Sequence, residues 1–246
     1  MQIHLFVRRL VLIGCCAIPA SLLGEDLPKI DLYTENYGTF NYSLEDAAFE
    51  HDAEDIGGTA TEIVEMLFEE AGIDYKMRLR TWSVSYGRAV ERPNYGVFST
   101  ARTESREDLF EWVGPVGQYS WILLAREGNT LSINSLEDLN GLRIGGYEGD
   151  AATTFLQDRG FDVSTLPNES LNAQRLANNL IDVWITSDIN GFKIAEESGY
   201  PDVTEAFRIR TVGLYLAMNP GTDPRVINEL NAAYDSLVAS GEITFR

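Results

Sequence analysis

From Ile30 onward, short apolar strands alternate with helices that carry recognisable starts and stops, which restricts the chain to an α/β fold with largely parallel sheets. Ile30 to Tyr33 reads as the first strand. Thr59-Ala60-Thr61-Glu62 has the form of a capping box at a helix start, with Ile63, Met66, Leu67 and Ala71 on one face and Gly72 as the stop. Tyr75, Met77 and Leu79 alternate with charged residues in the next strand, and Val97-Phe98 opens another after a turn at Pro93-Asn94. Trp121 to Ala125 is a continuous apolar run suited to a buried strand. Ser135-Leu136-Glu137-Asp138 reads as a helix start, Leu142 to Gly145 as a strand, and Asp150 as the cap of a helix that stops near Gly160. Val183 to Ile185 and Val212 to Met218 supply further strands. Asp223-Pro224 pairs a cap with a first-turn proline, ahead of a last helix striped by Ile227, Leu230, Tyr234, Leu237 and Val238.

The first residues address destination rather than fold. Arg8 and Arg9 precede an apolar run from Leu10 to Ala20, the layout of a secretory signal and too short to span a bilayer. Cleavage after Ala20 or after Gly24 would fit; Leu12-Ile13-Gly14-Cys15 also has the form of a lipobox, whose cysteine would anchor the chain to a membrane. We take residues 1–24 as the signal and the mature chain as periplasmic. Its removal takes away Cys15 and Cys16, leaving no disulfide or thiol chemistry, and changes the balance of 19 basic and 38 acidic residues to 17 against 38, or −21. Such a surface repels nucleic acid and anionic lipid.

Several strings, in order, resemble the type II periplasmic solute-binding proteins that bind polar amino acids, the bacterial extracellular solute-binding family 3. The most informative runs from Ser99 to Glu107 and on through Phe110-Glu111-Trp112-Val113-Gly114-Pro115; Tyr37-Gly38-Thr39-Phe40, Ser135 to Gly141 and Asp182-Val183-Trp184-Ile185 support it. The resemblance implies a two-lobed α/β fold hinged on two crossover strands near Tyr119-Ser120 and Thr211-Val212. Lobe one would hold residues 25–120 plus 212–246, and lobe two 121–211. It implies a monomer that captures a small-molecule ligand in the cleft and delivers it to an ABC permease in the inner membrane. The chain stops at Ile243-Thr244-Phe245-Arg246, earlier than many members of that family.

The resemblance also assigns residues. Arg106 matches the arginine that holds the ligand's carboxylate, a role suited to a planar guanidinium fork; a surface ion pair with Glu104 or Glu107 is the alternative. Ser99 and Ala101 match positions that hold the ligand by hydroxyl or backbone amide, although alanine at 101 removes a hydroxyl common among amino-acid binders. Tyr37 matches an aromatic cover, and Trp82 opens a helix facing the cleft. In lobe two, Asp150 and Ala151 occupy a helix start, where Asp150 is either a cap or a contact for an ammonium group. Asp188 lies near the family's acid for the ligand's ammonium.

Neither a metal nor a cofactor is expected, because the sequence has no zinc spacing, EF-hand loop, P-loop or nucleophile motif. His51, the one histidine beyond the signal, stands in the acidic stretch Glu50 to Asp55 and reads as a solvated loop residue. Catalysis of the cyclohexadienyl-dehydratase type would therefore fall to acids such as Asp150 or Asp188. Binding without catalysis is the expected activity; a sensing module for a membrane receptor is the other alternative.

Overall fold

The computed structural model describes residues 26–244. The expected signal segment, with both cleavage points and the cysteine pair, lies outside them. Among the described residues no helix is long and apolar enough to cross a membrane.

The elements follow in the order β1 (Ile30–Thr34), β2 (Tyr42–Ser43), β3 (Ile56–Gly57), α1 (Thr59–Ala71), β4 (Tyr75–Leu79), α2 (Trp82–Glu91), β5 (Tyr95–Ala101), β6 (Glu111–Arg126), β7 (Ile144–Tyr147), α3 (Ala151–Gln157), β8 (Val163–Leu166), α4 (Ser170–Ala177), β9 (Val183–Ser187), α5 (Gly191–Glu197), β10 (Val203–Met218) and α6 (Pro224–Ser240). The strands lie in the order β4-β1-β5-β10-β6-β9-β7-β8. The two middle strands, β10 and β6, are 16 residues each and run antiparallel from Val203 opposite Arg126 to Met218 opposite Glu111.

Each flank uses a different part of this central ladder. β5 pairs with β10 between Leu214 and Met218, and carries β1 and β4 parallel to itself. β9 pairs with β6 between Trp121 and Leu124, and carries β7 and β8. Two lobes result, with α1, α2 and α6 packed on the first and α3, α4 and α5 on the second. Between the two flanks the central strands pair only with each other, Tyr119 opposite Val212 and Ser120 opposite Thr211. The Ser120 and Thr211 hydroxyls meet there at 3.0 Å.

Local chemistry explains where the elements depart from the sequence reading. Thr59 is the first helical residue of α1 and makes no cap; Gly58 takes that place at φ 127°. Only glycine fits, since a Cβ at 58 would stand 2.3 Å from the Phe40 carbonyl oxygen. The buried face of α1 is Ala60, Thr61, Val64, Leu67 and Phe68, so Ile63, Met66 and Ala71 lie at its margin. In α6, Val238 is exposed and Val226 and Ala233 complete the buried stripe. Trp121 to Ala125 proves to be the second half of β6. Gly114, Pro115 and Gly117 look like breakers, but Pro115 falls where the ladder shifts register, between Leu214 and Leu216, and an interrupted ladder tolerates a residue without an N–H.

Other starts are as read. Asp150 accepts from the N–H groups of Ala152 and Thr153, Asp223 accepts from that of Arg225, and Gly72 closes α1 in the left-handed region. Ser135 and Asp138 form a capping box on a single 3-10 turn.

Candidate functional site

Parallel α/β sheets present their loops at the carboxyl ends of the strands, and ligands gather there. Glu35 follows the last residue of β1 and Asp150 comes soon after β7, so both carboxyl groups reach the interlobe cavity, while Glu169 comes soon after β8. Arg106 comes from the turn after β5, a short 3-10 segment from Glu104 to Leu109.

The structure brings Tyr37, Trp82, Ser99, Ala101, Arg106, Asp150 and Ala151 together around one small cavity, joined by Glu35 and Tyr119. Its free volume is about 20 Å³, room for about one water molecule. Contacts across the lobes hold it shut. The Trp82 indole N–H donates to the Gly149 carbonyl at 3.1 Å, Arg106 Nη2 donates to the same oxygen at 3.0 Å, and the Tyr147 hydroxyl donates to Glu35 at 3.4 Å.

Arg106 is 6% exposed and forms no ion pair among the described residues. Its Nη1 donates to the Ala101 carbonyl at 3.4 Å, and its Cζ lies 5.3 Å from the Trp82 ring centre and 5.0 Å from that of Tyr86. A desolvated guanidinium held by carbonyls and π faces keeps donor capacity for an anion that enters the cleft.

Around it burial raises the acids. Burial pushes Glu35 well above the usual carboxylate range, with the like charges of Glu169 and Asp150 adding and the Tyr147 hydroxyl and Arg106 opposing. Burial raises Asp150 too, against Arg106 and the helix N–H groups it caps. Glu169, whose carboxylate accepts from the Thr186 hydroxyl at 2.6 Å, is raised to about 7 by burial and by Asp150. Tyr37 and Tyr119 meet edge to face at 5.8 Å, and burial raises both phenols.

Ser99 is held at φ 57°, a conformation that non-glycine residues seldom adopt outside functional or tightly constrained sites. Its hydroxyl donates to the Asn41 side chain, and Asn41 in turn donates to the Glu35 carbonyl. This relay fixes the backbone of Glu35, and it occupies the hydroxyl that the resemblance offers to a ligand.

Asp188 lies apart from the cavity. One of its oxygens accepts from the Ser120 N–H at 2.9 Å and the other pairs with Arg208 at 2.7 Å, so it fastens the crossover strands. His51 is exposed and meets Arg80 at 2.8 Å, away from the cleft. Sequence reasoning missed Glu35, Glu169, Tyr119 and Tyr147. A search for polar residues just after the first predicted strand would have found Glu35, whereas Glu169 lies three residues past β8, a strand the sequence reading does not mark.

No family model matches the chain, and no curated protein matches it. Solved structures do. A histidine kinase sensor domain with similarity to periplasmic binding proteins aligns with a TM-score of 0.75 at 17% identity, over 88% of this chain and 92% of its own. The chain has the two-lobed periplasmic-binding-protein fold. The same fold appears in an ancestral arginine-binding protein bound to arginine, with a TM-score of 0.70 at 17% identity over 87% of this chain and 93% of that one. The arginine-, lysine-, histidine-binding protein ArtJ from Geobacillus stearothermophilus aligns at 0.68 with 14% identity, over 87% and 91%. In a periplasmic-binding-protein fold the interlobe cavity around Arg106 occupies the cleft itself.

Proposed function

We propose that this chain is a periplasmic solute-binding protein that closes on a small polar molecule bearing a carboxylate and a cationic group, an amino acid or a close relative, and delivers it to an ABC importer. The observation that carries this reading is Arg106, buried between the lobes without an ion pair among the described residues, while Glu35 and Asp150 line the same cavity and Glu169 stands close enough to raise Glu35. A ligand carboxylate would complete the arginine, and a ligand cation would relieve the crowding of the three acids. The ligands named for two of the similar structures, arginine among them, have that charge pattern. The closed cavity is far smaller than any such molecule, so binding requires the lobes to part and close again about residues near 119–121 and 210–213.

A thermal-shift screen of amino acids, amines and small organic acids on the mature protein tests the reading. A ligand at 100 times its dissociation constant stabilises by about 2.7 kcal/mol. Recovery of unchanged ligand from the complex, measured by mass, separates binding from catalysis. Failure of every zwitterion, with a response to simple acids alone, would refute the ligand class.

The sensor-domain likeness favours a second reading, in which the same closure reports to a membrane receptor. Ligand-dependent crosslinking in whole membranes distinguishes them: one reading expects a permease subunit in the adduct, the other a receptor. N-terminal sequencing of the exported protein should begin between Ser21 and Asp26; a lipid on Cys15 would replace the free periplasmic form with an anchored one.

A further inference from the structure

We propose that Arg159 and Arg210 form a second site, for a small oxyanion, in a pocket that bridges the two lobes beside the ligand cleft. The pocket has a volume of about 470 Å³ and adjoins the closed cavity at Ala151. Thr103 and Ser105 line it from the first lobe, Phe155 and Arg159 from α3 of the second, and Arg210 from the crossover strand β10.

The two guanidinium groups share one aromatic support. Arg159 Cζ lies 3.5 Å from the centre of the Phe155 ring, and Arg210 Cζ lies 4.9 Å from that centre and 4.5 Å from the centre of Trp121. Phe155 and Trp121 pack against each other at 5.1 Å, which fixes the platform. Like charges are thereby held on a common surface although neither arginine has an ion pair among the described residues. In a chain with 38 acidic and 19 basic residues, this pairing of cations runs against the prevailing charge. Arg102, Arg143 and Arg208, by contrast, each meet a carboxylate.

The strain of this arrangement is visible in Arg210, which loss of solvent and the neighbouring Arg159 push below the ordinary arginine range. Arg159 gives one N–H to the Phe155 carbonyl at 3.0 Å, and the remaining donors of both side chains have no protein acceptor among the described residues. Planar guanidinium groups with free donors suit phosphate or carboxylate oxygens. The Thr103 and Ser105 hydroxyls, 3.2 Å apart, add donors from the facing lobe. Glu104 and Asp158 also line the pocket, and among the described residues neither pairs with Arg159 or Arg210. An anion seated here contacts both lobes, so it favours their closed arrangement and, by linkage, strengthens cleft binding as much as cleft binding strengthens it.

The site can be tested without knowing the cleft ligand. Inorganic phosphate titrated into the purified protein at constant ionic strength should raise the melting temperature saturably, while chloride at the same ionic strength should not. Arg159→Gln and Arg210→Gln, made separately at exposed side chains, should each weaken the phosphate midpoint by about ten-fold or more. Phosphate should also lower the radius of gyration in solution scattering. An equal response to chloride, or a phosphate response unchanged in both variants, would overturn the site; binding without compaction would overturn its bridging of the lobes. Failure of the amino-acid screen leaves these results standing, because phosphate alone is the probe.

Discussion

Arg106 donates to the carbonyl of Gly149 at 3.0 Å, so the buried cation on one wall of the cleft is held by the backbone of the other wall. A ligand carboxylate would compete for the same guanidinium. Arg106 is therefore both the ligand's anchor in the proposed function and part of the contact that shuts the cleft without it.

Arg106→Ala should reduce ligand affinity by about 2 to 5 kcal/mol, the usual cost of leaving one member of a buried charge pair alone, or roughly 30-fold to several thousand-fold. Arg106→Lys keeps the charge and loses the planar fork, so it should recover part of the binding. Calorimetry on the three proteins checks this. Near-equal affinities would remove Arg106 from the site.

Trp82→Phe removes the second donor to Gly149 and keeps an aromatic ring. One neutral hydrogen bond contributes about 1 kcal/mol, so ligand affinity should fall roughly five-fold. The effect should come through a smaller closed population, visible as a larger radius of gyration at subsaturating ligand.

Stability should also depend on pH. Glu169 is raised to about 7 in the folded protein, against an ordinary value of 4.5. Between those values the folded form binds more protons than the unfolded form, so stability falls as pH rises through that window. Glu35 and Asp150 are raised as well and act in the same direction. Melting temperature measured across the window should decline with rising pH, and Glu169→Gln should flatten the decline. A cationic ligand would drive these acids to ionise, so its binding should release protons, detected as a dependence of the calorimetric heat on buffer ionisation enthalpy.

Gly38 lies on the loop after β1, against residues of the second lobe. A Cβ there would stand 2.5 Å from the Ile189 side chain and 2.7 Å from that of Asn190. Gly38→Ala should prop the lobes apart and weaken ligand binding, with scattering that no longer compacts at saturating ligand. The left-handed backbone at this position, φ 57°, adds about 1 to 2 kcal/mol of strain.

Much of this architecture is legible in the sequence because its signals are local. Asp150 and Asp223 announce helix starts with their own side chains, and Gly72 ends α1 by its own backbone. The first half of β10 is hidden because Glu205, Arg208 and Arg210 break its apolar pattern while the backbone pairs with β6 regardless. The acids of the cleft are hidden for a different reason. Glu35 and Glu169 acquire their character only when distant segments exclude water around them, and no neighbouring residue in the chain records that. Asp188 resembles a ligand contact in position, but Arg208 and the Ser120 amide engage it first.

The pairing of β5 with the far end of β10 sets the order in which the molecule can be assembled. The parallel trio β4, β1 and β5 is complete in sequence by Ala101, but its inner edge stays unpaired until residues 214–218 have been made. Contacts so far apart along the chain form late and slowly. A ribosome therefore releases nearly all of this protein before its first lobe can finish folding.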